Sequence, residues 1–111
     1  MSKVYAPHLA LIRESAVAIE RYRPADKDTF LTSMMLQDAI LMRLQVIGES
    51  LMQMRRIDED RFARHAADSW HKLIGLRNII SHGYKTIEFE RIWQIITEEL
   101  PAFRDDRRCG R

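Results

Sequence analysis

The sequence predicts an all-α protein, an up-and-down antiparallel bundle of four main helices with a further segment that could form a short fifth. Two observations lead to this prediction. Apolar residues recur at spacings of three and four over most of the chain, as they do in amphipathic helices. The chain has only four glycines and three prolines, and no segment alternates apolar and polar residues in the manner of half-buried strands. Amphipathic helices joined by short connections bury their apolar faces most simply in a bundle.

The first helix is predicted to run from Pro7 to about Tyr22. Proline suits a first helical turn, because its missing N–H would have no helical partner there. The core-facing stripe of this helix consists of Leu9, Ile12, Ala16 and Ile19. The polar segment RPADKDT then interrupts the helix, and Asp28 or Thr29 is expected to cap the next one.

A long central helix is predicted from about Phe30 to Arg56. Its stripe keeps the same rhythm and consists of Leu36, Ile40, Leu44, Ile47, Leu51 and Met54. Gly48 lies inside this helix, where glycine costs about 1 kcal/mol relative to alanine. We therefore expect another backbone to pack closely against Gly48. The polar segment RRIDEDRFARHAAD that follows is predicted to be a loop or a short charged helix.

Two more helices are predicted in the second half of the chain. Ser69 can cap a third main helix, WHKLIGLRNIISH, which is expected to stop around His82 at a left-handed glycine cap, Gly83. Thr86 can open the last helix, and Pro101 removes a backbone donor, so a kink or a restart is expected there. The stripe of this helix consists of Phe89, Trp93, Ile96, Leu100 and Phe103.

The composition limits the class of protein. The 111 residues, 46% of them hydrophobic, predict one domain over residues 1–104 and a polar, frayed tail over residues 105–111. A formal net charge of +2 is too small for a strong field toward nucleic acid, so any RNA contact must be local. The single cysteine, Cys109, cannot build a disulfide or a metal cluster within the chain and fits a reducing compartment. With no signal-peptide core and no apolar run near the roughly 18 residues of a membrane span, a soluble cytoplasmic protein is expected.

The segment RNIISHGY contains the candidate chemistry. At about 100° per residue, Asn78 and His82 fall on one helix face and Arg77 with Ser81 on the adjacent face, so the guanidinium and the imidazole can converge on one ligand. A helix dipole alone explains a histidine in a last turn. It does not explain an arginine in an apolar stripe, since a partly buried guanidinium must be paired or face a cleft. Glu49 on the central helix is the expected partner.

The remaining histidines and arginines give weaker signals. No metal site and no cofactor is predicted, because no metal-ligand spacing such as i, i+4 is present, and surface or interface positions are favoured for His8, His65 and His71. A solvated face is favoured over RNA phosphate contacts for Arg55, Arg56, Arg61 and Arg64.

Three segments together resemble a known family. LRNIISHGY, read with LQDAILMRLQVIGES upstream and FERIWQIITEELP downstream, resembles the HEPN superfamily, specifically the HepT-type toxins with their R-x4-H-x-Y motif. The resemblance implies a HEPN-like bundle and a metal-independent endoribonuclease toxin, encoded beside a nucleotidyltransferase antitoxin of the MNT type. It implies that Arg77 and His82 are the catalytic pair and Asn78 their orienting neighbour, and that the antitoxin modifies Tyr84 with AMP. Glu49 and Ser81 are the further supporting residues that we expect.

The chemistry of RNA cleavage fits the same two side chains. Attack of the 2′-hydroxyl on the adjacent phosphate needs a base of near-neutral pKa and a cation over the phosphorane charge, and it leaves a 2′,3′-cyclic phosphate. Imidazole, with an unperturbed pKa of about 6.5, and guanidinium supply these groups. One motif histidine per chain provides a base or an acid but not both, so a homodimer with a shared groove is expected.

Two interpretations without catalysis stay open. One is a HEPN module that binds nucleotide or serves as a scaffold and substrate for its nucleotidyltransferase. The other is a purely structural dimerising bundle. Incubation with ribo-oligonucleotides in EDTA separates these two interpretations from the enzyme and from each other. Only the enzyme cleaves RNA, only the nucleotide-binding module shows saturable binding with intact RNA, and the structural bundle shows neither.

Overall fold

The computed structural model of the chain describes residues 6–66 and 68–101. The regular structure of these residues is entirely helical: α1 (Ala6–Tyr22), α2 (Lys27–Thr32), α3 (Met34–Ile57), α4 (Glu59–His65), α5 (Asp68–His82) and α6 (Phe89–Gln94), with a 3-10 turn at Tyr84–Thr86 and a π-helical turn at Ile95–Glu99. The predicted all-α bundle is therefore confirmed, with α2 and α4 as short additions to four main helices. No helix in the described part of the chain combines the length and the apolarity needed to cross a membrane.

The long helix α3 lies between α1 and α5. Two contacts show that α5 is antiparallel to α3, because Gln45 bonds to Ser81 whereas Glu49, one turn later, bonds to Arg77. The predicted apolar stripes form the core, whose fully buried members include Ile12, Ile19, Ile40, Leu44, Ile47, Leu51, Met54 and Ile96. The central helix thus buries one face against its neighbours and leaves the opposite face available.

Aromatic contacts attach the two short helices to the core. On α2, the ring centroid of Phe30 lies 5.6 Å from that of Trp93 at the end of the chain's last helix. On α4, the centroid of Phe62 lies 5.3 Å from that of Trp70 in α5. Such rings bury large apolar areas, so each short helix is held by tertiary packing rather than by its own helical stability.

The predicted second helix is divided at Ser33. Asp26 caps α2, not Asp28 or Thr29, and its carboxylate accepts hydrogen bonds from the Thr29 backbone N–H at 3.0 Å and the Thr29 hydroxyl at 2.8 Å. Ser33 has extended backbone and caps α3 by accepting a hydrogen bond from the Leu36 N–H at 3.2 Å. The break was missed because the apolar rhythm continues across it, and a single serine is a weak boundary signal.

The end of α5 differs from the predicted glycine cap. The helix stops at His82 as expected, but no glycine of the described residues has a positive φ. Instead, the Thr86 hydroxyl donates to the Gly83 carbonyl at 2.7 Å. A Cβ at position 83 would lie 2.8 Å from that hydroxyl oxygen, so a side chain there would displace the Thr86 hydroxyl, whereas the backbone of Gly83 is not left-handed. Thr86 therefore closes a turn, and the last helix begins at Phe89, not at Thr86.

Other predicted boundaries are shifted. Ser69 lies within α5, which already begins at Asp68, and the side chain of Ser69 is outside the described part of the chain. The chain is helical at Leu100 and Pro101, and a π-helical turn ends two residues before the proline, at Glu99. The predicted kink or restart at Pro101 stays a prediction. Phe103, Cys109 and the predicted tail over residues 105–111 lie outside the described residues.

Candidate active site

Gly48 allows α5 to approach α3 closely. A Cβ at this position would lie 2.6 Å from the Leu73 carbonyl oxygen and 2.8 Å from the Arg77 Cβ, distances that leave no room for a side chain. The close backbone approach expected from the sequence is present. Its consequence is that Arg77 lies directly opposite Glu49, the residue that follows Gly48.

Arg77 is held between a carboxylate and an amide. Its Nε donates to Glu49 Oε1 at 2.6 Å, and its Nη1 donates to Asn78 Oδ1 at 2.6 Å. Gln53, one turn further along α3, donates to the other carboxylate oxygen of Glu49 at 2.9 Å. The hydrogen bond from Gln53, and after it the hydrogen bond and charge of Arg77, lower the pKa of Glu49. The carboxylate is therefore kept in the charged form that orients the guanidinium.

The guanidinium of Arg77 is oriented but still accessible. These two bonds engage two of the five N–H donors of an arginine. The side chain is 25% exposed, and that of Glu49 is 43% exposed. A cation that is fixed in direction and open on one side is suited to an anionic ligand such as a phosphate.

The other motif residues lie along the exposed face of α5. Asn78 and His82 are both exposed and are one turn apart, while Ser81 accepts a hydrogen bond from Gln45 at 3.2 Å. His82 follows Arg77 by five residues, which separates them by about 140° around the helix axis. A ligand that contacts both must bridge from the α3–α5 edge to the outer face of α5. Asn78 lies on that route, because it contacts the guanidinium from the His82 side.

Tyr84 begins the 3-10 turn just after α5. Its side chain is outside the described part of the chain, so its expected position beside the site stays a prediction. The catalytic roles of Arg77 and His82 and the supporting roles of Asn78 and Ser81 also stay predictions.

A groove of about 390 Å³ opens beside Arg77, between α1 and α3. Its walls combine apolar side chains with amides, namely Leu11, Met42, Val46, Gln45 and Gln53. His8, for which a surface or interface position was expected, also lines this groove. Its Nδ1 is buried and has no hydrogen-bond partner in the described residues.

One signal in the sequence could have revealed this wall of the groove. Met42, Val46, Glu49 and Gln53 repeat at four, three and four, a second stripe of α3 on the side opposite the core. A stripe that mixes apolar residues, an amide and a carboxylate is typical of a ligand groove as well as of ordinary surface, so the pattern by itself does not predict a groove.

The comparisons with known proteins identify ribonuclease-like proteins. The family model described as "Ribonuclease HepT-like" matches residues 12–108. A protein of Methanocaldococcus jannaschii named as a candidate RNase is 30% identical over 88 residues, which cover 79% of this chain and 78% of that protein. A candidate RNase of Caldanaerobacter subterraneus subsp. tengcongensis is 25% identical over 100 residues, 89% of this chain and 87% of that protein.

A further relative from Methanocaldococcus jannaschii is longer. It is named as a gamma-glutamylcyclotransferase and candidate RNase, and it is 27% identical over 105 residues, which cover 94% of this chain but 45% of that protein. No solved structure gives a significant match to this chain.

Proposed function

Because the chain belongs to the HepT-like ribonuclease family of the HEPN superfamily, we propose that it is a metal-independent endoribonuclease and the toxin of a HEPN/MNT toxin–antitoxin system. The observation that carries the proposal is the arginine of the R-x4-H-x-Y motif, Arg77, which is held by Glu49 and Asn78 and yet remains open to a ligand. Family membership supports RNA as the substrate.

In this proposal His82 and Arg77 act on one phosphodiester. The imidazole of His82 accepts the proton of the 2′-hydroxyl as its oxygen attacks phosphorus. The bond from phosphorus to the 5′-oxygen breaks, and that oxygen takes up a proton, which leaves a 2′,3′-cyclic phosphate and a 5′-hydroxyl. Arg77 stabilises the negative charge of the phosphorane, while Glu49 and Asn78 position its guanidinium. Ser81 supports the site through its hydrogen bond with Gln45.

A homodimer supplies the second proton-transfer group. One His82 serves as the base, and the His82 of a second copy protonates the leaving oxygen. Two features support this arrangement. His82 is exposed on the outer face of α5, and Ile79 on the same side of the helix is 49% exposed, so an apolar surface adjoins the imidazole.

Regulation is proposed to occur at Tyr84. A partner nucleotidyltransferase of the MNT type would transfer AMP from ATP to the phenol oxygen, with loss of the phenol proton and release of pyrophosphate. The AMP group adds bulk and negative charge two residues after His82, where the RNA phosphate must bind. Incubation with ATP and the partner should add the mass of AMP to the wild-type protein and not to Tyr84→Phe. An unmodified wild-type chain, or a modified Tyr84→Phe chain, would rule out this role for Tyr84.

Cleavage of single-stranded RNA in EDTA tests the catalytic proposal. We expect the wild-type protein to cleave, and His82→Ala and Arg77→Ala to lose at least about 100-fold in rate. His71→Ala is the matched control, because His71 is also an exposed histidine of α5. Cleavage that survives in His82→Ala would move catalysis to other residues. Saturable nucleotide binding with intact RNA would favour the non-catalytic HEPN module.

A further inference from the structure

A second groove, of about 450 Å³, lies between α1 and α3 and concentrates positive charge. Its charged lining consists of Arg13, Arg21, Arg43 and one carboxylate, Glu14. Three arginines against one glutamate leave two net positive charges, equal to the formal net charge of the entire chain. The protein therefore has a locally basic site although the net charge of the entire chain is small.

Most of the positive charge of this basic groove is not paired with a carboxylate of the described residues. The only ion pair that the described residues contribute to the groove joins Arg43 Nη1 to Glu14 Oε2 at 4.0 Å, the limit of a salt bridge. Arg13 and Arg21 form no ion pair within the described ranges 6–66 and 68–101. Exposed guanidinium groups without carboxylate partners attract a polyanion, since its phosphates release counterions when they bind.

Tyr22 adds an aromatic surface to the basic groove. It is the last residue of α1, its side chain lines the groove, and it is 36% exposed. Arginines that contact phosphates and a ring on which a base can stack are the combination with which proteins bind single-stranded nucleic acid. A ligand that was only an anion would not use the ring.

The basic groove lies close to the groove beside Arg77, along the same two helices. On α1, Glu14 follows Leu11 by about one helical turn, and on α3, Arg43 follows Met42 directly, so the two grooves use neighbouring turns of the same helices. Arg43 and Glu49 are about 9 Å apart along the α3 axis. A single strand of RNA that occupies the groove beside Arg77 can therefore extend into the basic groove.

We propose that Arg13, Arg21, Tyr22 and Arg43 bind the part of a single-stranded RNA that flanks the cleavage site. The identity of the ligand as substrate rests on the proposed ribonuclease function. The basic groove holds the strand by its phosphates and one stacked base, so it contributes affinity with little base specificity.

The test measures RNA binding and its salt dependence. A labelled single-stranded RNA of about 16 nucleotides, the upper end of common site sizes, is titrated with the full-length His82→Ala chain so that it stays intact. Adding Arg21→Gln should weaken binding about fivefold and reduce the slope of log affinity against log salt by about 0.7. Arg64→Gln, which removes one exposed arginine of α4 instead, should change the affinity less than about twofold.

A second pair of variants tests stacking. Tyr22→Ala should weaken RNA binding about tenfold, whereas Tyr22→Phe retains the ring and should bind like its parent. Unchanged affinity and salt slope in both Arg21→Gln and Tyr22→Ala overturn the inference, as does a parent chain that binds no RNA. Sedimentation is measured in parallel, and variants that lose a wild-type dimer would assign the groove to a contact between chains and also overturn it.

The cleavage assay distinguishes failure of this inference from failure of the proposed function. If the protein cuts no RNA but binds it through Arg21 and Tyr22, the RNA-binding role of the basic groove stands and the proposed ribonuclease function fails. If the protein cuts RNA but these substitutions leave its affinity for RNA unchanged, the ribonuclease function stands and the RNA-binding role of the basic groove fails.

Discussion

Arg77 lies inside an otherwise apolar helical stripe because its charge has a fixed partner. The paired carboxylate of Glu49 is itself 43% exposed, so solvent screens the pair and its contribution to stability is modest, at most about 1 kcal/mol. The geometric effect is larger. Two hydrogen bonds from different edges of the guanidinium, to Glu49 and to Asn78, restrict a long and flexible side chain to one direction. The pair therefore contributes more to the orientation of the guanidinium than to stability.

The lowered pKa of Glu49 predicts a pH dependence of stability. Bonds from Gln53 and Arg77 lower this pKa below its ordinary value of 4.5, so the stabilising effect is present above that value and is lost as the pH falls through the lowered folded-state pKa. Glu49→Gln should remove this part of the decline. The pKa of Asp26 is also lowered, by its hydrogen bonds from Thr29, and that part should remain.

Denaturant unfolding at a series of pH values from about 7 to about 3 measures this effect. Glu88→Gln is the control, since Glu88 is an exposed carboxylate whose side chain makes no capping hydrogen bond. If the unfolding free energy of Glu49→Gln declines with pH as steeply as that of the wild type, the carboxylate is not held as described.

At the scale of elements, α3 carries two stripes of residues on opposite sides, and each stripe has a different role. One stripe, which includes Leu44 and Leu51, is fully buried and organises the bundle. The opposite stripe, with Met42 and Glu49, forms a wall of the groove beside Arg77. Gly48 lies between these two sides and sets the distance to α5, so the packing of the bundle and the position of the guanidinium depend on the same residue.

Two glycines make a matched test of this packing. Gly48→Ala should lower the free energy of unfolding by about 1–3 kcal/mol, because the new Cβ would overlap the Leu73 carbonyl and Arg77. Gly75→Ala, in α5, should raise it by about 0.5–1 kcal/mol, because a Cβ there meets nothing within 4 Å and alanine favours the helix. Urea denaturation measures both. Equal effects of the two substitutions would mean that α5 does not approach α3 closely at Gly48.

At the scale of the whole molecule, one bundle presents apolar residues from three helices to solvent. Leu11 of α1, Met35 and Met42 of α3, and Ile79 of α5 are exposed. Exposed apolar surface of this kind is typical of a face that another chain covers. It supports the proposed homodimer, in which each copy contributes a His82 to a shared site.

Mixing of subunits tests whether the site needs both chains. Wild-type protein and His82→Ala are unfolded together and refolded at varied ratios so that dimers form at random. If each site requires both copies of His82, the cleavage rate follows the square of the wild-type fraction and falls to roughly a quarter in an equal mixture. A rate proportional to the wild-type fraction, roughly half in that mixture, would mean that each chain acts alone.

Features that depend on neighbours along the chain follow from the sequence by itself. The helical stripes arise from a repeat of 3.6 residues, and the requirement of Arg77 for a partner arises from the cost of burying a charge. Even the close approach at Gly48 was predictable, because glycine inside a helix is unfavourable unless the absence of a side chain is needed.

Only the tertiary structure decided the features that join distant residues. The contact of Phe30 with Trp93, which holds α2 against the core before the break at Ser33, joins residues far apart in the chain. The turn after Gly83 is closed by the hydroxyl of Thr86. The grooves beside Arg77 and beside Tyr22 exist only because α1 lies against α3. Helical periodicity states which side of a helix is apolar, but it carries no information on which other helix covers that side or where a gap remains.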